Sequence, residues 1–298
     1  MSTLPTISAL GTQFFIEIFD EEAGEAKLDA AYCSIQLLLT TFEENYSRFK
    51  PHSLLSRLNA DRQLENPPLE FVELLNLGLR LYEETDGIFN LLVGETLNAR
   101  GYDANYSFKS VAEPDQIPNP IQSLVITKNK IILKDGLIDL GGYGKGYAID
   151  LIAELLRTKY GFLFFLINGG GDIYGTSENE SPITIYLEHP TEKETYVGAT
   201  RIYNCGFAAS SPHKRQWKDG ATTHNHIVDT KKENGNKPDA SFITAPSALM
   251  ADVFGTVALI ASDEKMSEFA GKESLGVATF NLPHTFYHNQ QFDLLCLD

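Results

Sequence analysis

Residues 135–172 restrict the fold more than any other part of the chain. The run Asp135–Leu140 ends in Gly141-Gly142-Tyr143-Gly144-Lys145-Gly146. Apolar residues then return at helical spacing from about Tyr147 to Lys159, which predicts a helix. Gly161–Ile167 is an almost unbroken apolar run, which predicts a strand buried on both faces, and it ends in Asn168-Gly169-Gly170-Gly171-Asp172. Glycine lets a backbone turn sharply and approach an anion closely, and a helix start offers amides and partial positive charge to one. Lys145 adds a full charge. The first cluster is not a phosphate-binding loop of the G-x-x-x-x-G-K-[ST] kind, because Gly146 follows Lys145, and it is not G-x-G-x-x-G. Taken alone, each cluster is a tight turn.

The remaining periodicities do not alternate strictly between strand and helix, so the chain reads as α+β. Strands are expected at Gln13–Phe19, Ser123–Thr127, Lys130–Leu133, 182–188, 195–203, 205–210, Phe242–Thr244, Val277–Asn281 and Phe286–Leu297. Helices are expected over Glu21–Phe42, from Asn66 as N-cap with Pro67 in the first turn to Asp86-Gly87, and over Ser247–Ser262. Residues 98–119, rich in Gly, Asp, Asn, Pro and Ser, read as a loop or a junction between two interleaved lobes of a single domain spanning 1–298, and 211–240 read as irregular.

The net charge of −16 makes a nucleic-acid partner unfavourable. Three scattered cysteines, Cys33, Cys205 and Cys296, form no zinc-ribbon or disulfide pattern. No basic-then-apolar leader, lipobox cysteine or membrane-length apolar run is visible, so the expected location is the cytoplasm and no membrane span is expected.

Three further clusters carry possible chemistry. His224-Asn225-His226 places two imidazoles at i and i+2, suited to a general base or, with partners not visible at zinc-finger spacing, to a metal. Asp252 and Thr256 lie four apart on an expected helix and so share a face, a carboxylate and a hydroxyl suited to a hard cation such as Mg2+. Tyr46-Ser47-Arg48-Phe49, followed by Ser53 through Asn59, mixes polar and aromatic groups that suit a flavin or adenine.

In order along the chain, Gly11-Thr12, Ser47-Arg48-Phe49, Ser53 through Asn59, Asp86-Gly87-Ile88-Phe89, Asp139 through Gly146, Asn168 through Ile173, His226-Ile227-Val228-Asp229 and Ala251-Asp252 with Thr256 resemble the ApbE family of FAD:protein FMN transferases. The resemblance implies an ApbE-like, T-fold-related α+β fold of mixed sheets with packed helices. It implies an Mg2+-dependent transfer of FMN from FAD, through a phosphoester bond, to a Thr or Ser of a target flavoprotein, with release of AMP. FAD pyrophosphatase activity and non-catalytic flavin binding are the alternatives. By the same resemblance His226 is the catalytic base. Phe49, Ile88, Phe89, Asn90, Asp139, Lys145 and Ile227 would face FAD, and Gly142, Asp252 and Thr256 would hold Mg2+. The chain departs from the family pattern at Asn90, where Asp is usual, at Ser211, where Gly is usual, and at Thr230, where Pro is usual.

Overall fold

The computed structural model describes residues 2–20, 23–177, 181–220, 222–231 and 237–296. In chain order the elements are β1 (Ser2–Thr3), β2 (Ile7–Ala9), β3 (Thr12–Ile18), α1 (Glu25–Tyr46), α2 (Leu54–Asp61), β4 (Gln63–Glu65), α3 (Leu69–Glu84), α4 (Gly94–Ala99), α5 (Pro120–Ser123), β5 (Leu124–Ile126), β6 (Lys130–Leu133) and α6 (Gly144–Thr158). They continue with β7 (Phe165–Gly169), β8 (Ile173–Thr176), β9 (Ile183–Glu188), β10 (Tyr196–Ile202), β11 (Cys205–Ser210), β12 (Gln216–Asp219), β13 (Thr222–Asn225), β14 (Ala240–Ala245), α7 (Ala248–Val257), α8 (Asp263–Glu273), β15 (Gly276–Asn281), β16 (Thr285–His288) and β17 (Leu294–Leu295). The fold is α+β. No helix among the described residues is long and apolar enough to cross a membrane.

Two units divide the chain. The first comprises Met1–Thr41, Tyr143–Lys214 and Gly235–Asp298; the second comprises Phe42–Gly142 and Arg215–Asn234. Residues 98–119 fall inside the second unit.

The first unit is built on an antiparallel sheet ordered β1-β3-β7-β8-β11-β14-β15-β16, with β2 also pairing β3. On β3, Phe14, Ile16 and Ile18 are fully buried while Phe15 is 43% exposed, the period of two that a one-sided strand requires. The buried three join Ile35 and Leu39 of α1, Ile149, Ile152 and Leu156 of α6, and Phe165 and Ile167 of β7 in one core. A second core gathers Ile173, Phe207, Phe242 and Phe280 of the large sheet with Ile185, Leu187 and Ile202 of the small sheet β17-β10-β9. Full burial of each such side chain is worth about 1.5–3 kcal/mol.

Several sequence expectations change here. Helix α6 starts at Gly144, not Tyr147, so two glycines lie inside it. Interior glycine costs a helix about 1 kcal/mol. The compensation is packing: a Cβ on Gly146 would lie 2.6 Å from the Ala248 carbonyl oxygen, so α6 and α7 meet backbone to backbone. Gly161 is the end of this helix rather than the start of a strand. It has φ +60° and its N–H donates to Arg157 O, the 5→1 bond of an αL cap, while the Phe162 N–H donates to Leu156 O. The strand begins only at Phe165 and is not buried on both faces. Its residues alternate, and Leu163 before it is 44% exposed. The apolar run hid a cap, because capping is a backbone property.

The expected helix 247–262 ends at Val257, and α8 follows, started by Ser262, whose Oγ accepts the Lys265 N–H at 3.4 Å. Helix α1 runs one turn past Phe42, and its start lies beyond residues 21 and 22, which are outside the described residues, as is Leu297 of the last expected strand.

In the second unit, β4-β6-β5 form a small antiparallel sheet. Tyr46 at the end of α1 stacks on Phe71 of α3 at 5.3 Å and donates its hydroxyl to Glu70 at 3.0 Å. Asn66 has φ +47° and donates its N–H to Asn129 O, so it closes the strand β4 rather than capping α3, which begins after Pro68. Within the expected irregular stretch, β12 and β13 pair as a hairpin with Trp217 opposite His224.

Candidate active site

In the first unit the glycine clusters fix a buried trio of charges. Lys145, in the first turn of α6, places Nζ against Asp172 Oδ2 and at 3.3 and 3.2 Å from the two carboxylate oxygens of Asp252 on α7. Asp252 Oδ2 also accepts the Gly146 N–H at 3.1 Å, so it caps α6 from outside. Asp172 lies in the β7–β8 turn. That turn is closed by Asn168 Oδ1, which accepts the Gly171 N–H at 3.0 Å, and by positive φ at Gly170 and Gly171. A Cβ on Gly170 would meet Thr12 Oγ1 at 2.2 Å, which ties the Gly11-Thr12 motif to this turn. Helix α7 is positioned by Asp150, whose oxygens accept the N–H groups of Ala248 at 2.9 Å and Leu249 at 3.0 Å, and by its N-cap Ser247. Thr256 stands one turn beyond Asp252 and is half-buried.

Both carboxylates are about 4% exposed. One lysine faces two buried negative charges. Burial, then the neighbouring Asp172 charge, pushes the Asp252 carboxyl up to about 7 against the opposing pull of Lys145. Burial by itself would lower the Lys145 pKa, but the two aspartates together outweigh it and raise it. Sequence reasoning missed Asp172 as a site residue. Its signal was present: it is the single charged residue between Lys159 and Glu178, in an apolar and glycine-rich segment where an unpaired charge is not tolerated.

In the second unit, Arg48 is buried and fully engaged. Its Nε donates to Asp139 Oδ2, Nη1 to Asn98 Oδ1 at 2.9 Å and Nη2 to the Tyr102 carbonyl at 2.7 Å. Asp139 Oδ1 accepts the Gly141 N–H at 2.7 Å, so its carboxylate holds Arg48 and the start of the glycine loop. The Arg48 guanidinium lies 4.2 Å from the centre of the Phe49 ring, and Tyr106 stacks on that ring at 5.1 Å and 10°. Ile88 and Phe89 are buried, and the Phe89 ring lies 3.3 Å from where a Cβ on Gly142 would stand. His226 follows β13 and is half-buried; Ile227 after it donates its N–H to Asn225 Oδ1 at 2.9 Å. Thus His226, Phe49, Ile88, Phe89, Asn90, Asp139, Gly142 and Ile227 belong to the second unit, and Lys145, Asp252 and Thr256 to the first.

The sequence profile of the ApbE family matches residues 10–280. The chain belongs to the ApbE family. Among curated relatives, the FAD:protein FMN transferase of Haemophilus influenzae is 24% identical over 291 residues, covering 90% of this chain and 83% of the relative. That of Escherichia coli strain K12 is 25% identical over 261 residues, covering 82% and 74%. Among solved structures, the ApbE protein of Thermotoga maritima superposes with a TM-score of 0.81 at 17% identity, and the flavin transferase ApbE of Vibrio cholerae with 0.76 at 20%; in each case 97% of both chains is covered. These structures share the fold. The chain is an enzyme of the transferase class.

Two departures from the ApbE pattern have local reasons. Asn90 donates Nδ2–H to the Pro118 carbonyl at 3.0 Å and accepts the Leu92 N–H on Oδ1 at 2.8 Å, so its amide uses both ends; an ionised Asp could not make the first bond. Ser211 donates to Asp239 O at 2.8 Å and accepts the His213 N–H at 3.1 Å, work that glycine could not do.

The donor set of the first unit fits a hard divalent cation. An ammonium group already sits among carboxylate oxygens, the hydroxyl of Thr256 is one turn away, and the two aspartates exceed the one lysine in charge. Among the described residues no three His, Cys, Asp or Glu side chains form a cage, so such an ion would take further oxygens from backbone, water or phosphate.

Proposed function

We propose that this chain is an Mg2+-dependent FAD:protein FMN transferase. The observation that carries the reading is the buried Lys145–Asp172–Asp252 cluster, two carboxyl groups against one ammonium, in a chain whose family relatives are named for this transfer. Asp252 and Thr256 would hold Mg2+, with the Gly142 carbonyl that the family resemblance implies. When bound, the ion would supply charge neutralisation for the pyrophosphate of FAD. Lys145, held by Asp172, would set a fixed ammonium near the same phosphates. Phe49, Ile88, Phe89, Asn90 and Ile227 would border the flavin, and Asp139 would act by holding the glycine loop.

In the step itself, the hydroxyl oxygen of an acceptor Thr or Ser forms a bond to the FMN-side phosphorus. The bond from that phosphorus to the oxygen of AMP breaks, and AMP leaves with the electron pair. His226 takes the hydroxyl proton. Such a transfer needs alignment and charge neutralisation more than covalent help from the protein. The compartment expected from the sequence, the cytoplasm, is part of this proposal; recovery of the protein in an extracytoplasmic fraction overturns it.

The test is AMP release from FAD with Mg2+ and with EDTA, together with in-gel flavin fluorescence of an apo-flavoprotein whose acceptor Thr is unmodified. Metal-dependent AMP with a fluorescent acceptor band supports the transferase. Metal-dependent AMP and free FMN without a band shifts the reading to an FAD pyrophosphatase. No AMP with either addition overturns catalysis and leaves flavin binding.

A further inference from the structure

Arg100 follows α4 and has no role in the reading above. Its guanidinium faces the main chain on both sides of His226. Nη1 donates to Ile227 O at 2.9 Å and, more weakly, to Asn225 O at 3.4 Å. The rest of the guanidinium is oriented by Glu113, which accepts from Nε at 2.9 Å and from Nη2 at 3.4 Å. The Arg100 carbonyl accepts Trp217 Nε1–H at 2.7 Å, and Trp217 is the cross-strand partner of His224. Asn225 Oδ1 meanwhile takes the Ile227 N–H, closing an Asx turn around His226. The residue is therefore fastened to the hairpin by its main chain and to the segment after it by its side chain. All of these groups lie in the second unit, and the Arg100 side chain is 16% exposed.

We propose that Arg100 is a positioning residue for His226: it clamps the carbonyls flanking that histidine and so fixes where the imidazole stands. The inference rests on His226 being the base. His226 stands outside any regular element, so side-chain clamps on its main chain help to set where it lies. Displacement of a catalytic group by about 1 Å can cost about 100-fold in rate. Lysine cannot substitute, because a single ammonium on a flexible stem cannot keep the Glu113 fork while reaching two carbonyls.

The experiment uses the full chain with Mg2+, FAD and the same apo-flavoprotein acceptor, and compares Arg100→Lys, Glu113→Gln, His226→Ala and the double variant Arg100→Lys/His226→Ala. Arg100→Lys should lower kcat about 10- to 100-fold with the KM for FAD unchanged, and Glu113→Gln, the milder change, should lower it less. In the His226→Ala background Arg100→Lys should cost nothing more, whereas a loss of general stability would add to it. The C2 proton signal of His226, assigned by its disappearance in His226→Ala, should shift or broaden in Arg100→Lys without any FAD present. Wild-type kcat in both Arg100→Lys and Glu113→Gln, or an equal further loss in the double variant, overturns the clamp while leaving His226 as base. A wild-type rate in His226→Ala overturns the base, and the clamp with it. Should Arg100→Lys fail to fold, Glu113→Gln carries the same comparison.

Discussion

Around Lys145 the side chains stand on helices and on a glycine turn, and carboxylates hold the starts of two helices: Asp252 takes the Gly146 amide of α6, and Asp150 the Ala248 and Leu249 amides of α7. Around His226 no helix supplies such a frame. The segment is irregular, and side chains hold main chain: Arg100 grips two carbonyls, Asn225 one amide, and Thr230 Oγ1 donates to the Ile88 carbonyl at 2.8 Å. The first arrangement is hard to move and carries uncompensated charge. The second can be retuned by single side chains. On the proposed roles, the first would serve the phosphates and the second the flavin and acceptor.

The comparison breaks first at Asp252. Asp252→Ala should reduce Mg2+-dependent AMP release by about 10³-fold or more, because a bound metal contributes several kcal/mol at 1.36 kcal/mol per decade. Its melting temperature should hold or rise, since the surplus buried carboxylate is gone. An AMP assay and a thermal melt on the same sample test both parts; retained activity sinks the metal assignment. Lys145→Met should do the opposite to stability. It strands two buried carboxylates, and removing one partner of a buried ion pair costs about 3–5 kcal/mol. Chemical denaturation should show that loss, and an unchanged midpoint would mean that the cluster hydrates freely.

Asn90→Asp sharpens the account of the adjustable region. It restores the family's residue, yet here it leaves the Pro118 carbonyl without its donor. The expected cost is about 1–3 kcal/mol in stability; an equally stable variant would show that the departure has no local cause. The smallest effect concerns pH. Burial, the largest influence, raises the Asp150 carboxyl, opposed by the two α7 amides. A carboxyl whose folded pKa lies above its unfolded one loses stability as pH climbs past the ordinary value of about 4 toward the raised one. Asp150→Asn should flatten that part of the melting temperature–pH curve, and an unaltered slope would remove Asp150 as its source.

Strands β3, β11, β14 and β15 and helices α1, α3 and α7 were legible as apolar or periodic runs, whereas β1, β2 and β8, short pieces of the same sheet, were not. Helix α8 was not, being short and mostly polar; its Ser262-Asp263-Glu264 start was its one clear mark. Lys145, Asp252 and Asp139 were legible one by one, but what they meet was not: Lys145 and Asp252 are 107 residues apart, and Arg48 and Asp139 are 91 apart. Only the family resemblance placed them in one ordered pattern. Arg100 and Asp172 escaped because their importance is relational, set by what the fold brings beside them.

The contact at Gly146 has a consequence for anyone redesigning this enzyme. Where α6 crosses α7 there is no side chain to shorten or exchange, so the joint has no tolerance and no adjusting screw. The separation of Lys145 from Asp252 is machined into the crossing of two main chains. Neighbouring side chains can be repacked around it, but a library that varies position 146 samples only broken assemblies.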